Sequence, residues 1–303
     1  FANIDSLELG NNKLITLSSL PKLKALKTLH LDGNPLNDIS KLTALPNLKE
    51  LSLNNIVGNV GKFPYLKTLE RLSANSSQNI VIYGISNATS FPALTYLDVS
   101  NNMLYDLSAF INKENKSKTP LLQSLNINSN SISTLNRIEV FNQLTYLDVS
   151  YNKLYNVTGL EKLTQLQQLN LANNDIRDLY FLENMNQLQE LNLTNNANII
   201  DFKKLAKLTQ LNTLILSGTS IRELQPINTC KSLQLLNLAG CRISNWDALT
   251  AFSQLENISV SFLTKEDLVT FKKLPNLKYL TITNTEESVV ALFKKELPSV
   301  VLY

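Results

Sequence analysis

One spacing constrains this chain more than any other feature. Leu26, Leu29, Leu31 and Asn34 stand as L-x-x-L-x-L-x-x-N, and the frame returns at Leu144, Leu147, Val149 and Asn152, at Leu166, Leu169, Leu171 and Asn174, and at Leu188, Leu191, Leu193 and Asn196. Its opening residues are Ile4, Leu26, Leu48, Leu69, Leu94, Leu122, Leu144, Leu166, Leu188, Leu211, Leu233, Leu255 and Leu277, with steps of 22, 22, 21, 25, 28, 22, 22, 22, 23, 22, 22 and 22. That makes thirteen units, with a stub at Val300. A fixed period outranks residue-by-residue propensity, because each unit can bury its apolar face only against its neighbours.

The L-x-L core alternates with period two, which predicts a short strand buried on one face. Parallel strands need a crossover of about a dozen residues, and each unit has that many left. The ninth position falls where the strand turns away. Asn12, Asn34, Asn102, Asn130, Asn152, Asn174 and Asn196 occupy it, and an amide there can satisfy turn backbone. Ile56, Ser77, Thr219, Cys241 and Thr285 replace the Asn elsewhere.

The unit L-x-x-L-x-L-x-x-N-x-I/L-x-x-L-x-x-L-x-x-L, best seen from Leu166 to Met185 and from Leu211 to Cys230, resembles the 22-residue leucine-rich repeats of bacterial internalins. It is also similar to the leucine-rich regulatory subunit of protein phosphatase 1. The resemblance covers essentially the whole chain. It implies an α/β fold: a right-handed leucine-rich-repeat solenoid with a parallel concave β-sheet and convex 3₁₀ or short α-helical crossovers. It implies a scaffold and not a partner.

The unbroken period predicts a single domain over residues 1–303, although that length alone suggests two. Insertions fall near 77–93 and 111–120, and helical repeats close the chain over 264–303. In the first insertion, Ile80–Tyr83 is an extra apolar run; Gly58 and Gly61 punctuate the crossover before it. In the second, Asn112–Thr119 reads as a mobile, solvated loop. Thr264-Lys-Glu-Asp267 opens one helix with cap-like chemistry, and Glu286–Leu297 reads as another, stopped by Pro298. The first frame position lies three residues after Phe1 with no cap before it, so residues upstream of Phe1 are expected.

The net charge of +3 does not call for nucleic acid or an anionic membrane. No stretch of ~18 apolar residues offers a membrane span. Cys230 and Cys241 occupy core positions and read as separate buried thiols, which leans toward a reducing compartment. The N-x-S/T triplets at Asn75, Asn87, Asn115, Asn156, Asn192 and Asn257 read as accidents of an Asn-rich composition, since glycans at Asn192 and Asn257 would block the strand face.

Frame positions three, five and seven point away from the core. The heptapeptide Leu-Thr-Tyr-Leu-Asp-Val-Ser occurs twice, at Leu94–Ser100 and Leu144–Ser150, two strands apart. Tyr96 and Tyr146 should therefore stand roughly 10 Å apart on one face. Tyrosine buries large area at low entropic cost and keeps a polar handle. The candidate partner-binding residues are Tyr96, Asp98, Asn126, Tyr146 and Asp148, flanked by Tyr105, Tyr151 and Tyr155. The alternative is that a tandem duplication left identical heptapeptides whose tyrosines merely cover the sheet.

Catalytic and metal sites are not expected. His30 is the only histidine, with Asp32 in the next outward position but no nucleophile motif beside it. No converging ligand set or phosphate-cradling Gly loop is visible. The expectation is a non-catalytic, monomeric module, of the kind found in bacterial effectors or virulence-associated proteins, that needs no cofactor and binds a protein on its concave face. The alternatives are the docking or regulatory region of a larger enzyme and a surface adhesin.

Overall fold

The computed structural model describes residues 3–77 and 80–303; Phe1, on which the upstream expectation rests, lies outside the described residues. The chain divides into two units, Phe1–Asn152 and Lys153–Tyr303.

The first unit carries seven parallel strands in chain order: β1 (Ser6–Glu8), β2 (Thr28–His30), β3 (Glu50–Ser52), β4 (Arg71–Ser73), β5 (Tyr96–Asp98), β6 (Ser124–Asn126) and β7 (Tyr146–Asp148). Each spans frame positions three to five, and the register pairs like with like, as in Leu29 with Leu51 and Leu97 with Leu125. The central residue of each strand from β2 onward is buried, while its neighbours are mostly half-exposed. That alternation is the one the L-x-L pattern predicts.

The second unit repeats the plan with β8 (Gln168–Asn170), β9 (Glu190–Asn192), β10 (Thr213–Ile215), β11 (Leu235–Asn237), β12 (Asn257–Ser261), β13 (Tyr279–Thr283) and β14 (Val301–Leu302). The stub at Val300 thus supplies the closing strand. Crossovers are mostly single 3₁₀ turns, such as Ser40–Ala44 in the first unit and Tyr180–Asn184 in the second. Two are helical where the sequence predicts, α2 (Leu268–Phe271) and α3 (Glu287–Glu296), though neither N-cap residue makes a side-chain cap hydrogen bond. The amide and hydroxyl of Thr264 both donate to Asp267 Oδ2 just before α2.

The turn asparagines do more than satisfy their own turn. Asn34 Nδ2 donates to Leu31 O within its repeat and to Leu9 O in the preceding one, while its Oδ1 accepts the amides of Asn12 and Leu14. Asn102, Asn130, Asn152 and Asn196 likewise bridge consecutive repeats. Ser77 holds the position by hydroxyl, donating to Leu53 O and accepting Ile56 N.

The residue just before that position is left-handed in all thirteen repeats, from Asn11 (φ 57°) to Asn284 (φ 47°). Asn and Gly fill most of these sites because they tolerate the conformation best. Tyr151 (φ 52°) and Phe262 (φ 59°) do not have that excuse. A bulky residue in this region stores strain of roughly 1–3 kcal/mol.

Both insertions differ from their sequence reading. Ile80–Tyr83 belongs to a helix, α1 (Ile80–Ser86), with Val81 and Ile85 buried. β-Branched residues disfavour helix locally, so packing overrides propensity here. A Cβ on Gly84 would lie 2.7 Å from Gly61 O, and this close approach explains the glycine. The stretch Asn112–Thr119 is not solvated throughout. Residues 113–116 are exposed, but Lys118 is 6% exposed and Thr119 is buried. Lys118 Nζ donates to Ser86 O at the end of α1 (2.6 Å), to Ala109 O (3.1 Å) and, more weakly, to Ile85 O (3.5 Å). The loop is pinned because a buried ammonium needs acceptors, and these carbonyls are the ones in reach.

Candidate functional site

The outward face of the first unit carries a chain of polar contacts. His30 Nδ1 lies 2.9 Å from Glu8, and its Nε2 lies 3.8 Å from Glu50. Arg71 Nε is 4.0 Å from Glu50, and the Arg71 guanidinium stands 3.9 Å over the Tyr96 ring. Desolvation pushes the Tyr96 phenol up from its usual range, and the Asp98 charge adds to the shift. His30 is therefore engaged with glutamates, while Asp32 Oδ1 accepts the Ser52 hydroxyl and the Asn54 amide instead.

Strand register places the central candidates as expected. Tyr96 pairs with Ser124, and Ser124 with Tyr146, so the two tyrosines flank a small residue across two strand spacings, roughly 10 Å. Tyr96, Asp98, Asn126 and Tyr146 are half-buried. Asp148 departs from the expectation of a solvent-facing carboxylate. It is 8% exposed, and its Oδ1 accepts both the amide (2.9 Å) and the hydroxyl (2.6 Å) of Ser150.

The cause is a rule of the frame that sequence reading missed. At position five, an Asp or Asn oxygen accepts the amide of position seven: Asp98 from Ser100, Asn126 from Asn128, Asp148 from Ser150, and in the second unit Asn170 from Ala172, Asn192 from Thr194 and Asn237 from Ala239. These are Asx-type turns that close the strand. The recurrence of Asp and Asn at position five was the available signal.

The flanking tyrosines fall into different settings. Tyr151 is exposed and left-handed, directly after the Asp148–Ser150 turn. Tyr105 is exposed and lines a cleft of about 480 Å³ with Asp106, Arg137 and the Asn112 and Asn115 positions of the insertion. Tyr155 belongs to the second unit, where it lines another cleft with Tyr180.

The two cysteines are separate and buried. Burial pushes the Cys230 thiol up to about 11 and raises that of Cys241. A thiol held protonated is a poor nucleophile. Among the described residues no group of His, Cys, Asp or Glu is arranged to hold a metal ion, and no helix is long and apolar enough to cross a membrane.

A family model described as leucine-rich repeats (two copies) matches residues 24–65 and 164–207. Among solved structures, an internalin (InlF) from Listeria monocytogenes is similar with a TM-score of 0.67 and 22% identity, over 99% of this chain and 86% of that one. A leucine-rich-repeat protein of Leptospira interrogans is similar with a TM-score of 0.59 and 20% identity, over 100% of this chain and 96% of that one. TLR13, solved in complex with the single-stranded RNA ssRNA13, is similar with a TM-score of 0.65 and 21% identity, over 93% of this chain and 50% of that one. Frame, matched repeats and fold agree: residues 24–65 and 164–207 carry leucine-rich repeats, and the chain has the leucine-rich-repeat fold of the internalin.

Proposed function

We propose that this protein is a non-catalytic binding module that takes a partner protein on the outward face of β5–β7. Tyr96 and Tyr146 anchor the partner, Asp98 and Asn126 offer polar contacts, and Asp148 holds the turn that presents Tyr151. Tyr105 extends the flank. The observation that carries this reading is Tyr151, which is 61% exposed in a left-handed conformation that nine of the thirteen repeats give to Asn or Gly. Strain retained in a bulky exposed side chain points to function rather than packing.

The TLR13 neighbour was solved with RNA. Here the first unit's outward face presents Glu8, Glu50 and Asp98, whose charges repel phosphate. That favours a protein over a nucleic acid. The test is capture from lysate on the immobilised full chain, compared with a Tyr96→Ala/Tyr146→Ala double variant. Affinity for the partner should fall by at least ~2 kcal/mol, about 30-fold. Partners that bind both proteins equally would refute the assignment, as would RNA recovered in their place.

A further inference from the structure

The second unit holds a cleft of about 360 Å³ that the outward sheet face does not include. Its apolar lining is Val157 and Phe181, both buried, and two exposed tyrosines, Tyr155 and Tyr180. Glu161 and Asp178 also line it. Glu161 accepts the Gly159 amide at 2.8 Å through Oε2, and Asp178 accepts the Tyr180 amide at 3.3 Å through Oδ1. Among the described residues, neither carboxylate is in an ion pair. The nearby cation Lys204 is matched instead by Glu183.

We propose that this cleft binds the guanidinium of an arginine side chain from a partner protein. Two aromatic rings and two carboxylates without a countercharge leave the cleft negative and aromatic, which complements a cation. A planar guanidinium stacks flat on aromatic rings and bonds carboxylates through its fork; an ammonium bonds carboxylates less well and meets a ring only as a point charge. Tyr180 already has Lys204 Nζ 5.5 Å from its ring centroid, so its π-system accepts cationic company within the molecule itself. The volume falls in the ~300–1,000 Å³ range of ligand sites. The sequence places Tyr155 on a flank; the fold of two consecutive crossovers brings Glu161, Asp178 and Tyr180 into one cleft with it.

The test is ¹⁹F NMR of the full chain labelled with 3-fluorotyrosine, with Tyr155→Phe and Tyr180→Phe assigning the two signals. The probes are N-acetyl-arginine methylamide and its neutral isostere, the citrulline derivative. Arginine should shift both signals saturably, and citrulline should bind at least fivefold more weakly. Glu161→Gln/Asp178→Asn should weaken arginine at least fivefold while the other tyrosine signals stay in place. If that double variant disturbs the other signals, Glu161→Gln alone carries the test, with at least a twofold loss expected. Equal shifts from arginine and citrulline, equal binding by the lysine derivative, or unchanged affinity in the carboxylate variants would each overturn the proposal. The outward-face reading of the first unit does not depend on the result.

Discussion

Replacing Asn196 by Ala tests the claim that the turn asparagine ties consecutive repeats together. Asn196 is fully buried. Its Oδ1 accepts Ile176 N at 2.9 Å, and its Nδ2 donates to Leu171 O at 2.9 Å and Leu193 O at 3.0 Å. The two carbonyls keep other donors after truncation: Asn174 Nδ2 for Leu171 O and the backbone amide of residue 196 for Leu193 O. The Ile176 amide has no such substitute. An orphaned buried donor costs about 1–3 kcal/mol and each lost bond about 0.5–1.5 kcal/mol net, so Asn196→Ala should cost about 2–4 kcal/mol. Asn196→Thr should recover one bond only, as Thr219 makes to Leu216 O at 2.7 Å. Urea unfolding followed by circular dichroism gives the magnitude, and hydrogen exchange at Ile176 gives the location. A loss under ~0.5 kcal/mol with Ile176 still protected would refute the reasoning, because the tie would then carry no free energy.

Two further outcomes follow from buried groups. Lys118→Met keeps the apolar stem but leaves the carbonyls of Ser86 and Ala109 without their donor, so urea unfolding should show a loss of about 1–3 kcal/mol, with exchange rising around α1. A variant as stable as the parent would mean that the ammonium's burial penalty cancels its bonds. Cys230 favours the protonated thiol in the folded state, with its pKa raised to about 11. The sign follows: this stabilisation is full below the unfolded pKa of ~8.5 and is lost as pH rises through about 11. Between those limits the parent should lose about 3 kcal/mol more than Cys230→Ala, read from unfolding curves at stepped pH. Parallel curves for the two proteins would contradict the burial argument.

The sequence reading succeeded where the information is local and repeated. The strand positions, the buried L-x-L faces, the turn asparagines, the closing strand and the helices after Asp267 and Glu286 all follow from patterns contained within one unit. It also placed Tyr96 and Tyr146 in register around Ser124, because register in a parallel stack follows directly from the period. It missed that Asp98, Asn126 and Asp148 spend an oxygen on their own strand ends, although the position-five pattern was visible. It read α1 as an apolar run because Val81, Ile82 and Ile85 do not favour helix until they are packed.

The thirteen-fold frame by itself determines the scaffold: a period of about 22 residues with one buried leucine face can be satisfied only by stacking each unit on the next. Only the tertiary structure decided which side chains remain free for a partner. Lys118 meets α1 from 32 residues away, Asp148 turns inward to Ser150, and Tyr155 shares a cleft with Tyr180 from the following crossover. These outcomes depend on where irregular crossovers land relative to one another, and spacing along the chain does not encode that.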